Sequence, residues 1–188
     1  MQRAAAQAKQ HDLVTAAAGL FHEQGVAKTT LTDVARAANI PLGSVFYYFK
    51  TKDDLVSSVI DRREDGIARL ISRHQALSDP RARLLALVQI WVEDREVDAL
   101  FGCPIGSLCF ELARTRGPLS DHAAQPFRLL LDWCEEQFRL LGAEDASGRS
   151  ALHLVSALQG ISLIAAVFAD PEMIVTEAAH LREWLQTV

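Results

Sequence analysis

The sequence predicts an all-α protein of about nine helices, and three observations lead to this prediction. Apolar residues recur every three or four positions through most of the 188 residues. No stretch alternates apolar and polar residues as a half-buried strand does. Prolines and capping residues mark many of the ends of the helical stretches. The composition, 49% apolar and 23% charged, is that of a folded globular chain rather than a disordered one.

The first predicted helix carries an apolar stripe over residues 13–21 and ends at Gly25. Thr30 caps the second helix, because its hydroxyl can accept from a free backbone N–H while Asp33 completes a capping box. Asn39 follows this helix, and asparagine tolerates the left-handed conformation needed to leave a helix better than most residues. These signals predict two helices joined by short turns.

A short third helix is expected over residues 44–49, after Pro41 prevents the second helix from continuing. Thr51 caps a long helix that begins near Lys52 and runs to about residue 76. The next helix starts from Asp79 as cap and Pro80 at its first position. The later helices are predicted over residues 80–97, 108–114, 120–141, 149–168 and 171–186, with Pro126 bending the third of these or delaying its start.

Charge divides the chain into a basic front and an acidic remainder. Residues 1–52 contain six Lys or Arg against three Asp or Glu, whereas residues 53–188 contain thirteen against twenty-one. This division suits a small DNA-reading domain (1–52) joined to a larger domain (53–188). Two short helices joined by a tight turn are typical of a helix-turn-helix, whose second helix enters the major groove.

The segment PLGSVFYYF, residues 41–49, is the predicted recognition helix. Tyr47 and Tyr48 carry hydroxyls that can reach phosphate oxygens, and Phe46 or Phe49 would anchor the helix to the core. Lys52 places a cation at the start of the long helix, where a phosphate can bind. The alternative is that the aromatic residues simply form the core of a small domain.

The segment TTLTDVARAANIPLGSVFYYFKTKDDLV resembles the DNA-binding region of TetR-family transcriptional regulators, and the resemblance covers roughly residues 8–60. It departs from the family pattern at Phe46, where tyrosine is common, and at Asn39, where glycine is usual. The helix lacks the usual base-edge partners Arg, Asn and Gln, so Arg36 or Arg3 would add contacts. The DNA-binding residues that the resemblance implies are Thr30, Thr32, Pro41, Leu42, Gly43, Ser44, Tyr47, Tyr48 and Lys52.

The same resemblance implies a homodimer and a small-molecule effector. The dimer would form through the last two helices, about 149–168 and 171–186; alternatively, the first of these is the central core helix of a monomer. The effector cavity would be lined mainly by aromatic residues, each of which is alternatively part of an ordinary core. The implied lining is Trp91, Phe101, Cys103, Phe110, Glu111, His122, Phe127, Trp133, Phe138 and His153.

The bend GCPIGS raises the hypothesis of a thiol sensor of oxidants or electrophiles. Cys103 lies where a helix begins, and the helix dipole there would lower the pKa of its thiol. The alternative is that Cys103 is a small buried residue at a tight turn. A third hypothesis makes Cys103 the nucleophile of an enzyme with His122 or His153 as base, but no catalytic signature accompanies it, so no enzyme is expected.

The leading functional hypothesis is therefore a repressor that leaves its operator when a hydrophobic or aromatic molecule binds the larger domain. A helical adaptor with no DNA role is the competing class, and the tyrosine and lysine cluster argues against it. No cofactor or metal is expected, because the three cysteines lack the spacing of a zinc site. The longest apolar run is interrupted by polar residues, so we expect a cytoplasmic protein with no membrane span.

Overall fold

The computed structural model describes the backbone of residues 2–188 and the side chains from Ala5 onward. The all-α class is confirmed: the described residues form helices and no strand. Two of the nine predicted helices are each divided in two, which gives eleven. In chain order they are α1 (Gln2–Gln24), α2 (Leu31–Ala37), α3 (Leu42–Tyr48), α4 (Lys52–His74), α5 (Pro80–Glu93), α6 (Arg95–Phe101), α7 (Pro104–Ala113), α8 (Pro118–Ala123), α9 (Gln125–Leu140), α10 (Ser147–Phe168) and α11 (Glu172–Leu185).

The helices pack into two compact units. The first unit consists of Met1–Asp65 and Ser107–Gln125, and the second of Gly66–Gly106 and Pro126–Val188. These units differ from the predicted functional division after residue 52. The reason is that the first half of α4 and the segment 107–125 bury their apolar side chains in the same core as α1, α2 and α3.

The first unit begins as the capping signals predict. Gly25 has φ +86° and its N–H donates to the carbonyl of Phe21, which ends α1. Thr30 and Asp33 form a reciprocal capping box at the start of α2. Asn39 adopts φ 53° after α2, so the expected left-handed residue is confirmed.

The connection from α3 to α4 also follows the sequence. The Thr51 hydroxyl accepts from the Asp54 N–H at 3.1 Å, and the Asp54 carboxylate accepts from the Thr51 N–H at 2.9 Å. This second capping box fixes the first turn of α4. Leu55 follows on the buried face of that turn.

Several predicted helix ends are wrong. Asp94 lies at φ −91° and ψ 4° and separates α5 from α6 within the predicted helix 80–97. The helix predicted from residue 108 begins at Pro104, because proline is accommodated in the first turn. Likewise Pro118 rather than Ser120 starts α8. Of the two expectations for Pro126, the delayed helix start is confirmed, because α9 begins at Gln125.

The second unit is built around α10, which packs against α6 and α11. A buried polar chain joins three of its helices: Trp91 Nε1 donates to the Ser162 hydroxyl at 2.9 Å, and this hydroxyl donates to Asp98 at 2.7 Å. By length and composition α10 is apolar enough to cross a membrane, a property that core helices of soluble proteins share. One of its faces is buried within the unit, and the other face exposes large apolar side chains.

Candidate nucleic-acid interface

The aromatic side chains of α3 divide into an anchor and an exposed group. Phe49, just after the helix, is only 2% exposed and lies in the core of the first unit, so it is the anchor. Phe46 is 46% exposed and Tyr47 is 73% exposed. The Tyr48 ring is partly buried and meets the Tyr47 ring edge-on, with centroids 5.0 Å apart. The helix therefore holds itself to the core on one side and presents aromatic surface and a phenol on the other.

The other predicted DNA contacts also lie at the surface of the first unit. Their positions are set by the two capping boxes and by the turn at Asn39, which fix where α2, α3 and α4 begin. Leu42 combines an apolar side chain with exposure, as contact with a thymine methyl group would need. The exposed members are Thr30, Thr32, Pro41, Leu42 and Gly43, and the partly exposed ones are Ser44 and Lys52.

Two cations on this unit were missed by the sequence reasoning. Lys50 is exposed and its Nζ donates to the Phe46 carbonyl at 3.0 Å, which holds the ammonium beside the aromatic group of α3. Lys28 is exposed in the turn that leads to Thr30. The signal for Lys50 was its place two residues before Lys52 in the run FKTK.

Of the two arginines proposed as additional DNA contacts, Arg36 has a described side chain and Arg3 does not. Arg36 is exposed on α2, and its guanidinium lies 3.5 Å from the Asp33 carboxylate. Such an exposed pair contributes little to stability, so the guanidinium can turn to a phosphate at small cost. The side chain of Arg3 lies outside the described residues.

Two predicted effector residues have partners within the first unit instead. The Glu111 carboxylate accepts from the N–H of Val26 at 2.8 Å and of Ala27 at 2.6 Å. The His122 ring lies 3.2 Å from the Ser57 hydroxyl through Nδ1 and 2.9 Å from the Asp61 carboxylate through Nε2. Phe110, also in the first unit, is 70% exposed.

Most of the remaining predicted effector residues lie together in the second unit. Four of them are buried in its apolar core, and Phe127 packs against that core. Phe101 is 39% exposed, and the His153 ring is exposed and meets Trp184 edge-on at 4.7 Å. The four buried residues are Trp91, Cys103, Trp133 and Phe138.

Two buried polar atoms in this core lack hydrogen-bond partners among the described residues. They are Trp133 Nε1 and His74 Nδ1, and the two rings lie 6.1 Å apart at an angle of 42°. Burial lowers the pKa of His74, and the neighbouring Arg73 lowers it further. A buried donor without a partner is costly, by about 1–3 kcal/mol, so this pair is suited to receive a polar group from a bound molecule.

The Cys103 thiol is buried, and its pKa is not lowered as its position at a helix start suggested. Burial raises the pKa of the thiol and outweighs the N–H groups of Gly106 and Ile105 and the amide of Gln159, which lower it. The Gln159 amide donates to the sulfur at 3.4 Å. The expectation of a lowered pKa is therefore wrong, because the start of α7 is packed into the second unit instead of facing water.

Two open grooves lie on the surface of the second unit. One lies on α4 and is lined by Gly66, Arg69, Ser72 and Arg73. The other is formed by Ile161 and residues 170–180, which include three carboxylates. Among the described residues, no group of three His, Cys, Asp or Glu side chains is placed to hold a metal ion.

Part of the chain is similar to a known protein family. Residues 13–59 match the profile of the tetR family of bacterial regulatory proteins. The chain is 36% identical over 95 residues to the HTH-type transcriptional regulator HbdR of Aromatoleum sp. (strain CIB), an alignment covering 48% of this chain and 39% of HbdR. It is 24% identical over 149 residues to LmrA of Bacillus subtilis (strain 168), covering 78% of this chain and 79% of LmrA.

The fold is shared with solved structures along the whole chain. A TetR transcriptional regulator from Chloroflexus aurantiacus J-10-FL superposes with a TM-score of 0.86 over 99% of this chain and 97% of that one, at 19% identity. At this identity the likeness establishes the fold alone. The chain spans less than half the length of the first curated relatives that it matches, from 33% to 46%.

Proposed function

We propose that the chain is a cytoplasmic, homodimeric regulator of the TetR family, whose profile residues 13–59 match, and that it binds operator DNA through its first unit. The observation that carries the proposal is the arrangement of α3. Phe49 anchors the helix, while Tyr47 and the neighbouring small residues are exposed and Lys52 begins α4. Hydroxyls and small residues on α3, with an ammonium at the start of the next helix, suit phosphate contact and close approach to a major groove.

The exposed face of α10 supports the proposed dimer. Leu163 is 66% and Val167 is 71% exposed, and Leu152, Ile164 and Phe168 are also exposed on this helix. An apolar surface of this kind is a typical site of association. We propose that α10 and α11 pair with their copies, which gives two heads for two half-sites on DNA.

The two buried atoms without hydrogen-bond partners in the second unit, Trp133 Nε1 and His74 Nδ1, support the proposed effector and indicate its chemical class. Trp133 Nε1 is a donor, so the molecule it accommodates carries an acceptor oxygen on an otherwise apolar or aromatic frame. Effector binding weakens DNA binding in this proposal, and the protein is then a repressor. This outcome requires the effector to bind the DNA-free state more tightly than the DNA-bound state.

A mobility-shift experiment tests DNA binding. The probes are DNA from upstream of the protein's own gene and duplexes selected by the protein from a random pool. We expect saturable binding that Tyr47→Ala weakens. Phe110→Ala also removes an exposed aromatic ring from the first unit, but not one on α3, so it is the matched control and should leave binding unchanged. Failure to retain any duplex at low salt would overturn the proposal.

The effector proposal has its own test. Trp133→Phe removes the unpaired indole N–H, which favours folding, and part of a buried ring, which disfavours it, so each variant's stabilisation is measured against its own unliganded form. Thermal shift with a panel of aromatic carboxylates and the matching hydrocarbons then reports the acceptor. We expect carboxylates to stabilise the wild type and to lose this effect in Trp133→Phe. Equal stabilisation of both proteins would contradict the assignment.

A further inference from the structure

We propose that Glu111 is a positioning residue for the DNA-binding unit: its carboxylate clamps the turn between α1 and α2 and thereby fixes where α2 begins. This inference rests on the proposed DNA-binding function of the first unit. Glu111 lies on α7, 84 residues along the chain from Ala27, yet both of its oxygens are used in this contact. Glu111 lies outside the segment that matches the family profile, which ends at residue 59.

The geometry of the clamp is that of a carboxylate held by adjacent backbone donors. Oε2 accepts from Val26 at 2.8 Å and Oε1 accepts from Ala27 at 2.6 Å. Hydrogen bonds to a charged acceptor are roughly twice as strong as neutral ones. The two N–H groups follow the end of α1 directly, so Glu111 satisfies donors that no helix uses.

The turn is shaped to receive this carboxylate. Gly25 has φ +86°, and a Cβ atom built there would lie 3.0 Å from Glu111 Oε2. A side chain at this position would therefore press on the clamp as well as strain the backbone. Beyond the turn, Thr29 is buried and donates to the Gly25 carbonyl at 2.8 Å, which leads the chain to Thr30, the cap of α2.

The segment that carries Glu111 is a built part of the first unit. Leu108, Leu112 and Ala123 are buried in its core. Further along, His122 joins Ser57 and Asp61 on α4, so the segment 107–125 contacts the unit at both the α1–α2 turn and α4. Glu111 therefore acts from a fixed backbone, as a residue that positions another element must.

The experiment compares Glu111→Ala and Glu111→Gln with the wild type in the full chain, using a duplex selected by the wild type. The control is Glu144→Gln, which removes a charge from an exposed loop residue. We expect Glu111→Ala to lower the affinity by at least about tenfold, with the same salt slope, because no phosphate contact is lost. Glu111→Gln keeps one acceptor and should be intermediate; it also carries the test if Glu111→Ala does not fold.

Amide hydrogen exchange, measured without DNA, tests separately whether the clamp by Glu111 exists. We expect the N–H groups of Val26 and Ala27 to exchange at least about tenfold faster in Glu111→Ala, with α5 unchanged. Unchanged exchange would overturn the clamp. Faster exchange with unchanged affinity of the folded fraction would show a merely structural contact and overturn the positioning role. If the wild type retains no duplex, the proposed function fails, and the exchange result still decides whether the clamp exists.

Discussion

Thr30 combines two properties that a pair of substitutions separates. Its hydroxyl caps α2 through the Asp33 N–H at 3.2 Å, and its exposed side chain is a predicted DNA contact. Thr32, two residues on, is also exposed and is a predicted contact, but the cap of α2 is formed by the Thr30 side chain and not by that of Thr32. Thr30 and Thr32 therefore offer two exposed threonines at the start of α2, of which only Thr30 caps the helix.

We expect Thr30→Ala to lower the free energy of unfolding by about 1 kcal/mol and Thr32→Ala to change it little, because only Thr30 caps the helix. Denaturant unfolding measures the difference. The pKa of Asp33, which the Thr30 hydroxyl and N–H hold below its usual range, should rise in Thr30→Ala. The contribution of this carboxylate is present at neutral pH and is lost as the pH falls through its lowered pKa. Equal unfolding free energies for the two variants would contradict the role of Thr30.

The cysteines give a prediction about reactivity. Burial raises the pKa of Cys103 and raises that of Cys134 to about 12, so both thiols remain protonated at neutral pH. We expect iodoacetamide at pH 7 to label both far more slowly in the folded protein than in guanidinium, as read by peptide mass spectrometry. Fast labelling of Cys103 in the folded protein would revive the thiol-sensor hypothesis.

At the scale of elements, local signals located most helix starts. Threonine or aspartate caps at Thr30, Thr51 and Asp79 each begin a helix as predicted, because the cap satisfies N–H groups that the helix leaves free. The break at Asp94 was missed, since no glycine or proline interrupts the apolar pattern there, whereas Pro126 had already indicated the delayed start of α9. The spacing of apolar residues indicates which face of a helix is buried, but it does not show where one helix ends and the next begins when the spacing continues through the break.

Two predicted effector residues have long-range partners that the sequence does not reveal. Glu111 and His122 have polar side chains on otherwise apolar stretches, which is equally compatible with a cavity or with a clamp. The choice depended on which backbone lies opposite each side chain, and contacts across 84 or 65 residues leave no local pattern. The predicted DNA contacts depend less on long-range partners, because they follow one another along the chain.

The end of α1 offers a matched glycine pair. Gly25→Ala places a Cβ in the left-handed region and against Glu111, so we expect a loss of about 1–2 kcal/mol in unfolding free energy. Gly19→Ala lies inside α1 with open space around the new methyl group, so we expect a gain of up to about 1 kcal/mol. Denaturant unfolding of both variants measures this. Opposite signs support the described turn, and a neutral Gly25→Ala would contradict it.

At the scale of the whole molecule, the exposed face of α10 predicts the assembly. Leu163→Glu with Val167→Glu places two charges on that face, so we expect the proposed dimer to dissociate. Sedimentation velocity measures the oligomeric state. Leu140→Glu, which charges an exposed apolar residue on α9, is the control and should remain dimeric. A double variant that remains dimeric would place the interface elsewhere.

Phosphate contact by the first unit is the central claim, and the salt dependence of DNA affinity tests it most directly. We would measure the affinity for a selected duplex across a series of salt concentrations for the wild type, Lys52→Gln and the control Arg128→Gln. The account predicts a steep linear fall of log K with log salt for the wild type and the control, and a slope shallower by about one for Lys52→Gln. Salt-independent affinity, or an unchanged slope in Lys52→Gln, would contradict it.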